Sequence, residues 1–286
     1  MSDFEPVAPG APQGPAFDGQ PPFRRRRRRR RGEGPGPPRG LYLLPHLVTT
    51  AGLFFGFFAI IKAFAGQADL AALGIVLAGV CDGIDGRVAR LARSSSRFGM
   101  EYDSLADIVS FGVAPAMLAF SAGELHVLGR PGWMMAFLFT ACAALRLARF
   151  NVSPSRYRGR FEGLPSPAGA GMVAASQWFA SFLRENGVPL DVPAWLVAGG
   201  VALLGLLMAS SIPYRSFKEL DLRHSYGTLV LTVLAVALVV QEPSVTLFFI
   251  GVAYTASGPL EWLWRRGAGR PLEQLVENAS SEPSQG

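Results

Sequence analysis

Eight apolar stretches occupy most of the chain from Leu41 onward, and each is long enough to cross a membrane as a helix. A helix of about 20 predominantly apolar residues spans the hydrocarbon core of a bilayer. Half of the 286 residues are hydrophobic, and the mean hydropathy is +0.28. The sequence therefore predicts an all-α integral membrane protein with about eight transmembrane helices, at residues 41–65, 69–92, 101–121, 131–150, 166–184, 192–211, 225–241 and 243–263.

Lysine and arginine are distributed unevenly between the two ends of these stretches. Cytoplasmic loops of membrane proteins carry an excess of both residues, which sets the orientation of the chain. If the arginine run at 24–31 is cytoplasmic, the same side receives Arg93, Arg97, Arg156, Arg158, Arg160, Arg215, Lys218, Arg223, Arg265, Arg266 and Arg270. The opposite side keeps Arg130 and Arg184. We therefore expect a protein of the cell's inner membrane with both termini in the cytoplasm.

Composition divides the chain into three regions. Residues 1–40 are rich in proline, glycine and arginine and are predicted to be a disordered cytoplasmic leader. Residues 41–265 form the predicted transmembrane domain, and residues 266–286 form a short polar cytoplasmic tail. The net charge of +6 comes almost entirely from the arginine run, which has no interleaved aromatic residues. Nucleic acid is therefore not expected as a partner.

Four aspartates, Asp82, Asp85, Asp103 and Asp107, lie inside this apolar chain. A carboxylate in a membrane segment is costly unless it is paired or holds a cation, so the group is a functional-site hypothesis. On helices, residues three or four apart share one face. Two helices joined by a short link can therefore direct all four carboxylates at one place on the cytoplasmic side. Oxygen ligands without histidine or cysteine favour Mg²⁺ or Mn²⁺ over zinc.

Small and basic residues accompany the aspartates. Gly86 and Ala89 share the helix face of Asp82 and leave room for a bulky phosphorylated ligand. Arg90 and Arg97 supply positive charge for phosphate oxygens. Carboxylates, a divalent metal and arginines are the components of phosphoryl-transfer chemistry, in which a remaining carboxylate can take a proton from the attacking hydroxyl.

The spacing of these residues resembles the signature of the CDP-alcohol phosphotransferase family. It reads Asp82-x2-Asp85-Gly86-x2-Ala89-Arg90-x8-Gly99-x3-Asp103-x3-Asp107. The resemblance implies that Asp82, Asp85 and Asp103 bind two Mg²⁺ or Mn²⁺ ions, and that Asp107 completes the site and acts as the general base. It implies a homodimer, and it implies that CDP-diacylglycerol binds at Asp82, Gly86, Ala89, Arg90, Arg97 and Gly99.

Two further segments, SRFGMEYDSLADIVSFGVAPA and FEGLPSPAGA, resemble the members of the family that use serine. This resemblance implies that L-serine accepts the phosphatidyl group. The candidates for binding the carboxylate and ammonium of serine are Arg146, Arg149, Asn151, Glu162 and Ser166. For Arg146 and Arg149, a role as an interfacial anchor at a cytoplasmic helix end has equal weight.

The beginning of the first apolar stretch, LPHLVTTAGLFFGF, departs from the family pattern. Relatives commonly have asparagine where this chain has His46 and Gly52. Thr49 or Thr50 could take over a polar role at the nucleotide. The simpler interpretation is that both threonines line the helix.

Other functions with the same aspartates stay open. A member of the same family could use glycerol 3-phosphate, inositol phosphate or choline as the acceptor, and the loop at 156–160 has the basic residues that a phosphate-bearing acceptor would need. Intramembrane carboxylates also occur in cation transporters, where they follow a path across the bilayer. Here they cluster at one end beside arginines, which favours the transferase.

Overall fold

The computed structural model describes residues 43–92, 97–152, 160–188, 191–215 and 241–268, and the side chains of all of these except residues 43–45, 87–92 and 97. The predicted leader, residues 225–240 of the predicted seventh span and the tail beyond residue 268 lie outside this description. The described part of the chain is mostly helical, which confirms the helical part of the predicted fold class.

The described residues contain eight α-helices: α1 Leu43–Phe64, α2 Ala68–Ala92, α3 Arg97–Asp107, α4 Ala114–Ser121, α5 Arg130–Val152, α6 Ser166–Glu185, α7 Ala194–Ala209 and α8 Pro243–Gly267. A π-helical segment, Ile108–Val113, joins α3 to α4, and a 3₁₀ turn, Leu125–Leu128, precedes α5. Two short strands, β1 Arg160–Glu162 and β2 Pro213–Arg215, pair in antiparallel orientation.

Three of the described helical segments are long and apolar enough to cross a membrane: His46–Phe64, Phe98–Ser121 and Arg130–Val152. They identify the chain as a membrane protein. Helix α7 is apolar but has only 16 residues, and α2 is interrupted by charged residues such as Asp82 and Asp85. The boundaries of the described helices follow the predicted spans closely, while the total of eight transmembrane helices stays a prediction.

Small residues let α1 pack closely against α2 and the π-helical segment. A Cβ atom at Gly74 of α2 would lie 2.9 Å from the carbonyl oxygen of Phe55. A Cβ atom at Gly56 of α1 would lie 2.7 Å from the Cα atom of Ser110. Small side chains permit such backbone approach between membrane helices. Helix α1 therefore has α2 on one flank and the π-helical segment that continues α3 on another, which brings the two aspartate-bearing helices together.

The π-helical segment begins directly after Asp107, within a stretch that the sequence predicts as one continuous helix. Its residues Ser110, Phe111 and Gly112 are buried. The Ser110 hydroxyl donates a hydrogen bond to the Gly52 carbonyl (3.2 Å), and Thr140 of α5 donates one to the Gly112 carbonyl (3.2 Å). Such widened turns are frequent at functional sites. Here the widened turn follows a predicted catalytic residue and is held by α1 and α5.

The β1–β2 pair was not predicted, because the sequence indicates a loop at this position. Phe161 pairs with Tyr214 in the middle of the ribbon. After β1 the chain turns through Gly163, whose φ of +75° favours glycine. The Gly163 amide donates to the Ile212 carbonyl (2.9 Å), and the Leu164 amide donates to the Leu207 carbonyl (3.0 Å). The FEGLP segment is thereby fastened to the end of α7.

Candidate active site

Helices α2 and α3 bring three carboxylates together. One oxygen of each of Asp82, Asp85 and Asp103 lies within 4.8 Å of the others. Asp85 is buried, with 8% of its surface exposed, and the other two are half-buried. Three carboxylates at this separation repel one another, and burial adds to the cost of their charge. The arrangement is therefore one that a bound cation would stabilise.

Asp107 lies one helical turn after Asp103 and lines the same small cavity as the three clustered aspartates. The other residues of this cavity come from α1, α2, α3 and the π-helical segment: Thr49, Gly52, Ala78, Ala106, Ser110 and Phe111. The four aspartates that the sequence singles out thus meet at one cavity. Asp107 is outside the closest group of three, a position suited to a group that is free to exchange a proton.

The donor set fits a hard divalent cation. The close group offers carboxylate oxygens alone, and oxygen ligands are those that Mg²⁺ and Mn²⁺ prefer. No histidine or cysteine is part of the group of described residues that could hold a metal. The cluster could therefore bind such an ion; its identity and the number of ions stay predictions.

The two threonines of α1 have different surroundings. Thr49 is buried, and its hydroxyl donates a hydrogen bond to Asp85 Oδ2 (3.3 Å). Thr50 donates to the backbone carbonyl of His46 (2.6 Å) and lies 3.0 Å from the hydroxyl of Tyr102 on α3. Thr49 therefore supports an aspartate of the cluster, whereas Thr50 joins α1 to α3 away from it.

The face of α2 beside the cluster is open at Gly86. A Cβ atom there would meet no other atom within 4 Å, so a ligand can approach the helix backbone. Gly99 at the beginning of α3 is half-buried. The side chains of Ala89, Arg90 and Arg97 lie outside the described residues, and their predicted roles toward the donor stay predictions.

A second cavity, of about 290 Å³, lies among α5, β1 and α7. We call it the acceptor cavity because predicted serine-binding residues lie in its lining, which consists of Leu145, Arg146, Arg149, Phe150, Phe161, Glu162, Met208 and Ala209. Arg149 and Glu162 form an ion pair, and Arg149 also donates to the Ser211 hydroxyl (3.3 Å). Three of the five predicted serine-binding residues thus line one cavity that carries both signs of charge.

Arg146 connects this cavity to the aspartates. Its Nη1 atom donates to the hydroxyl of the fully buried Ser166 (3.0 Å). Its charge interacts electrostatically with Asp107 and Asp82. Its Nε atom is buried and has no hydrogen-bond partner among the described residues. A buried hydrogen-bond donor without a partner costs free energy. The Arg146 Nε–H is therefore available to donate a hydrogen bond to an atom of a bound ligand.

Asn151 is the predicted serine-binding residue that the structure places apart from the others. It is exposed and does not belong to the cavity lining. Its side-chain amide donates to the Ser104 hydroxyl of α3 (2.8 Å). Asn151 therefore links the end of α5 to the helix that carries Asp103 and Asp107.

Glu261 on α8 is a residue that the sequence analysis missed. Its carboxylate accepts hydrogen bonds from Arg160 of β1, Arg215 of β2 and Arg265 of its own helix. The spacing of four between Glu261 and Arg265 is a signal that was available in the sequence. The contacts with the two strands could not be foreseen, because they join segments that are distant along the chain.

The aspartate cluster and most of the adjoining charged cavity lie in a part of the chain that matches a known family. The chain is a member of the CDP-alcohol phosphatidyltransferase family, whose model matches residues 42–206. These residues include all four aspartates and most of the acceptor cavity. They exclude α8.

Three relatives, all named CDP-diacylglycerol–serine O-phosphatidyltransferase, illustrate the similarity. The chain is 36% identical to the protein of Helicobacter pylori strain J99 over 233 residues, covering 80% of this chain and 94% of the relative. It is 33% identical to that of Mycobacterium tuberculosis strain H37Rv over 241 residues, 78% of this chain and 80% of the relative. It is 39% identical to that of Methanocaldococcus jannaschii over 144 residues, 50% of this chain and 62% of the relative.

Proposed function

We propose that this protein transfers the phosphatidyl group of CDP-diacylglycerol to the hydroxyl of L-serine, giving phosphatidylserine and CMP. The observation that carries the proposal is the meeting of four aspartates beside a cavity that has both arginine and glutamate in its lining. The names of the relatives support the same pair of substrates.

The aspartate cluster serves the donor. Asp82, Asp85 and Asp103 hold Mg²⁺ or Mn²⁺, and Asp107 completes a site for two ions. When bound, the ions neutralise the charge of the pyrophosphate and make its phosphorus more electrophilic. Gly86 and Ala89 give the cytidine and pyrophosphate access to α2. Arg90, Arg97 and Gly99 complete the donor contacts.

Asp107 is the general base of the transfer. It takes the proton of the serine hydroxyl while the serine oxygen forms a bond to the phosphorus that bears diacylglycerol. The bond from that phosphorus to the CMP oxygen breaks, and CMP leaves with the electron pair. Arg146 interacts electrostatically with Asp107, so its guanidinium offsets part of the repulsion between Asp107 and the neighbouring carboxylates.

The acceptor cavity selects serine. Arg146 and Arg149 bind the serine carboxylate, since guanidinium groups match its planar geometry. Glu162 binds the ammonium group, which glycerol 3-phosphate and inositol phosphate lack. Ser166 orients Arg146 through their hydrogen bond. Asn151 contributes by holding the rim of the cavity against α3.

In the cell we place the enzyme in the inner membrane, with eight transmembrane helices in the domain at 41–265. The leader at 1–40, the tail at 266–286 and the active site face the cytoplasm, where serine is available. CDP-diacylglycerol enters sideways from the inner leaflet. The functional unit is a homodimer.

CMP release by the purified full-length protein tests the function. CDP-diacylglycerol and Mg²⁺ or Mn²⁺ are supplied with L-serine, glycerol 3-phosphate, inositol phosphate or choline in separate reactions. We expect release with serine alone. Release with glycerol 3-phosphate or inositol phosphate would reject the assignment of Glu162, and release with choline would reject the assignment of Arg146 and Arg149. Either result would leave the role of the aspartates intact. Folded protein that releases CMP with none of them would reject the transferase.

A further inference from the structure

The acceptor cavity depends on a strand that has little support of its own. Phe161 and Glu162 of β1 line the cavity, but β1 has three residues and, among the described residues, pairs with β2 alone. An isolated two-stranded ribbon is marginally stable at best. The position of the Glu162 carboxylate therefore also depends on contacts outside the ribbon. The ion pair with Arg149 and the hydrogen bonds that fasten FEGLP to the end of α7 are two of these.

Glu261 of α8 supplies such contacts to both strands at once. Its Oε1 atom accepts from Arg160 Nη1 of β1 (2.9 Å), and its Oε2 atom accepts from Arg215 Nε of β2 (3.2 Å). Arg265 holds the same carboxylate from one turn along the helix (2.8 Å). The side chains of Glu261 and Arg160 are only 15% and 14% exposed, so the pair is less screened by water than a surface ion pair.

Tyr214 forms a second connection between α8 and the ribbon. The side chain is fully buried, and its hydroxyl donates to the Thr255 carbonyl of α8 (3.1 Å). Gly258 lets the ring lie against the helix, because a Cβ atom there would be 2.6 Å from Tyr214 Cε1. Tyr214 is the strand partner of Phe161. Helix α8 thus supports the cavity-lining residues through β2 as well as directly.

We propose that Glu261 is a positioning residue for the acceptor: it fixes β1, and with it Glu162 and Phe161, in the geometry that binds serine. This inference rests on the proposed function. It assigns a role to α8, which lies outside the residues that match the family model. Glu261 acts through the ribbon, and the donor site formed by α2 and α3 does not depend on it.

The test compares Glu261→Gln with Glu185→Gln, a matched charge change at an exposed position on α6. CMP release is measured while serine and CDP-diacylglycerol are varied separately. We expect Glu261→Gln to raise the KM for serine about tenfold, with kcat and the KM for CDP-diacylglycerol within about twofold of the parent, because only acceptor binding is weakened. Glu185→Gln should match the parent.

Two milder variants keep the test decisive if Glu261→Gln fails to fold. Arg215→Gln removes one contact from a side chain that is 75% exposed, and it should raise the serine KM by a smaller factor. Glu261→Asp keeps the charge and should restore part of the affinity. An unchanged serine KM, or equal losses toward both substrates, in these folded variants would overturn the positioning role. Absence of serine-dependent CMP release by the parent protein would instead reject the proposed function.

Discussion

The aspartate cluster and the acceptor cavity are built in different ways. The cluster comes from two consecutive helices, and its four carboxylates lie within residues 82–107. The cavity takes its lining from α5, β1 and α7, which are spread over residues 145–209, and α8 supports it from further along the chain. The chemistry that members of the family share is thus encoded locally. Under the proposed function, the selection of the acceptor depends on long-range packing and can change without disturbing the chemistry.

Removal of the metal should have the largest effect, because it disables the aspartate cluster, which is the locally encoded site. We expect chelation by EDTA to reduce CMP release to the level of a reaction without protein, since four carboxylates without a cation repel the pyrophosphate. Addition of Mg²⁺ or Mn²⁺ in excess should restore it. Full activity in metal-free buffer would contradict the role assigned to Asp82, Asp85 and Asp103.

Replacement of Asp107 separates proton transfer from donor binding within the cluster. Asp107→Asn should lower kcat by about 10²–10⁴-fold, the usual contribution of a general base. Binding of CDP-diacylglycerol should survive in part, because Asp107 is outside the closest group of three carboxylates. Asp191→Asn, at an exposed position before α7, is the matched control. Near-normal turnover of Asp107→Asn would show that another group accepts the proton.

Replacement of Glu162 tests the acceptor cavity and its proposed selection of serine. Glu162→Gln removes the charge that we propose binds the serine ammonium, and a hydrogen bond to a charged group contributes about 1.5–3 kcal/mol. The KM for serine should therefore rise by about 10–100-fold, while the KM for CDP-diacylglycerol stays the same. Steady-state CMP release with each substrate varied in turn measures both. A change in the KM for CDP-diacylglycerol alone would show that Glu162 acts on the donor and not on serine.

The same division explains what the sequence could predict. Helix lengths follow from apolar stretches, so α1 and α6 begin and end close to the predicted boundaries. The aspartates could be grouped because helical periodicity relates residues three or four apart. The β1–β2 ribbon and Glu261 were missed, because hydropathy does not indicate which distant segments meet. The π-helical segment after Asp107 was missed for the same reason, since its side chains bond to α1 and its backbone is held by α5.

Thr49 offers the smallest and most selective test of the cluster. Its hydroxyl donates to Asp85, and hydrogen bonds to metal-binding side chains typically change metal affinity by about 10–100-fold when they are removed. Thr49→Val keeps the shape and should raise the Mn²⁺ concentration for half-maximal activity about tenfold, with the KM for serine unchanged.

Thr50→Val is the control that the chain itself provides. It removes the neighbouring hydroxyl, which bonds to His46 and lies beside Tyr102 instead of an aspartate. The Mn²⁺ requirement of this variant should stay at the parental value. Equal shifts in the two variants would mean that α1 acts through general packing. A shift in Thr49→Val alone would mean that the carboxylate of Asp85 is oriented from α1, and that this helix contributes to the metal site through the Thr49 hydroxyl.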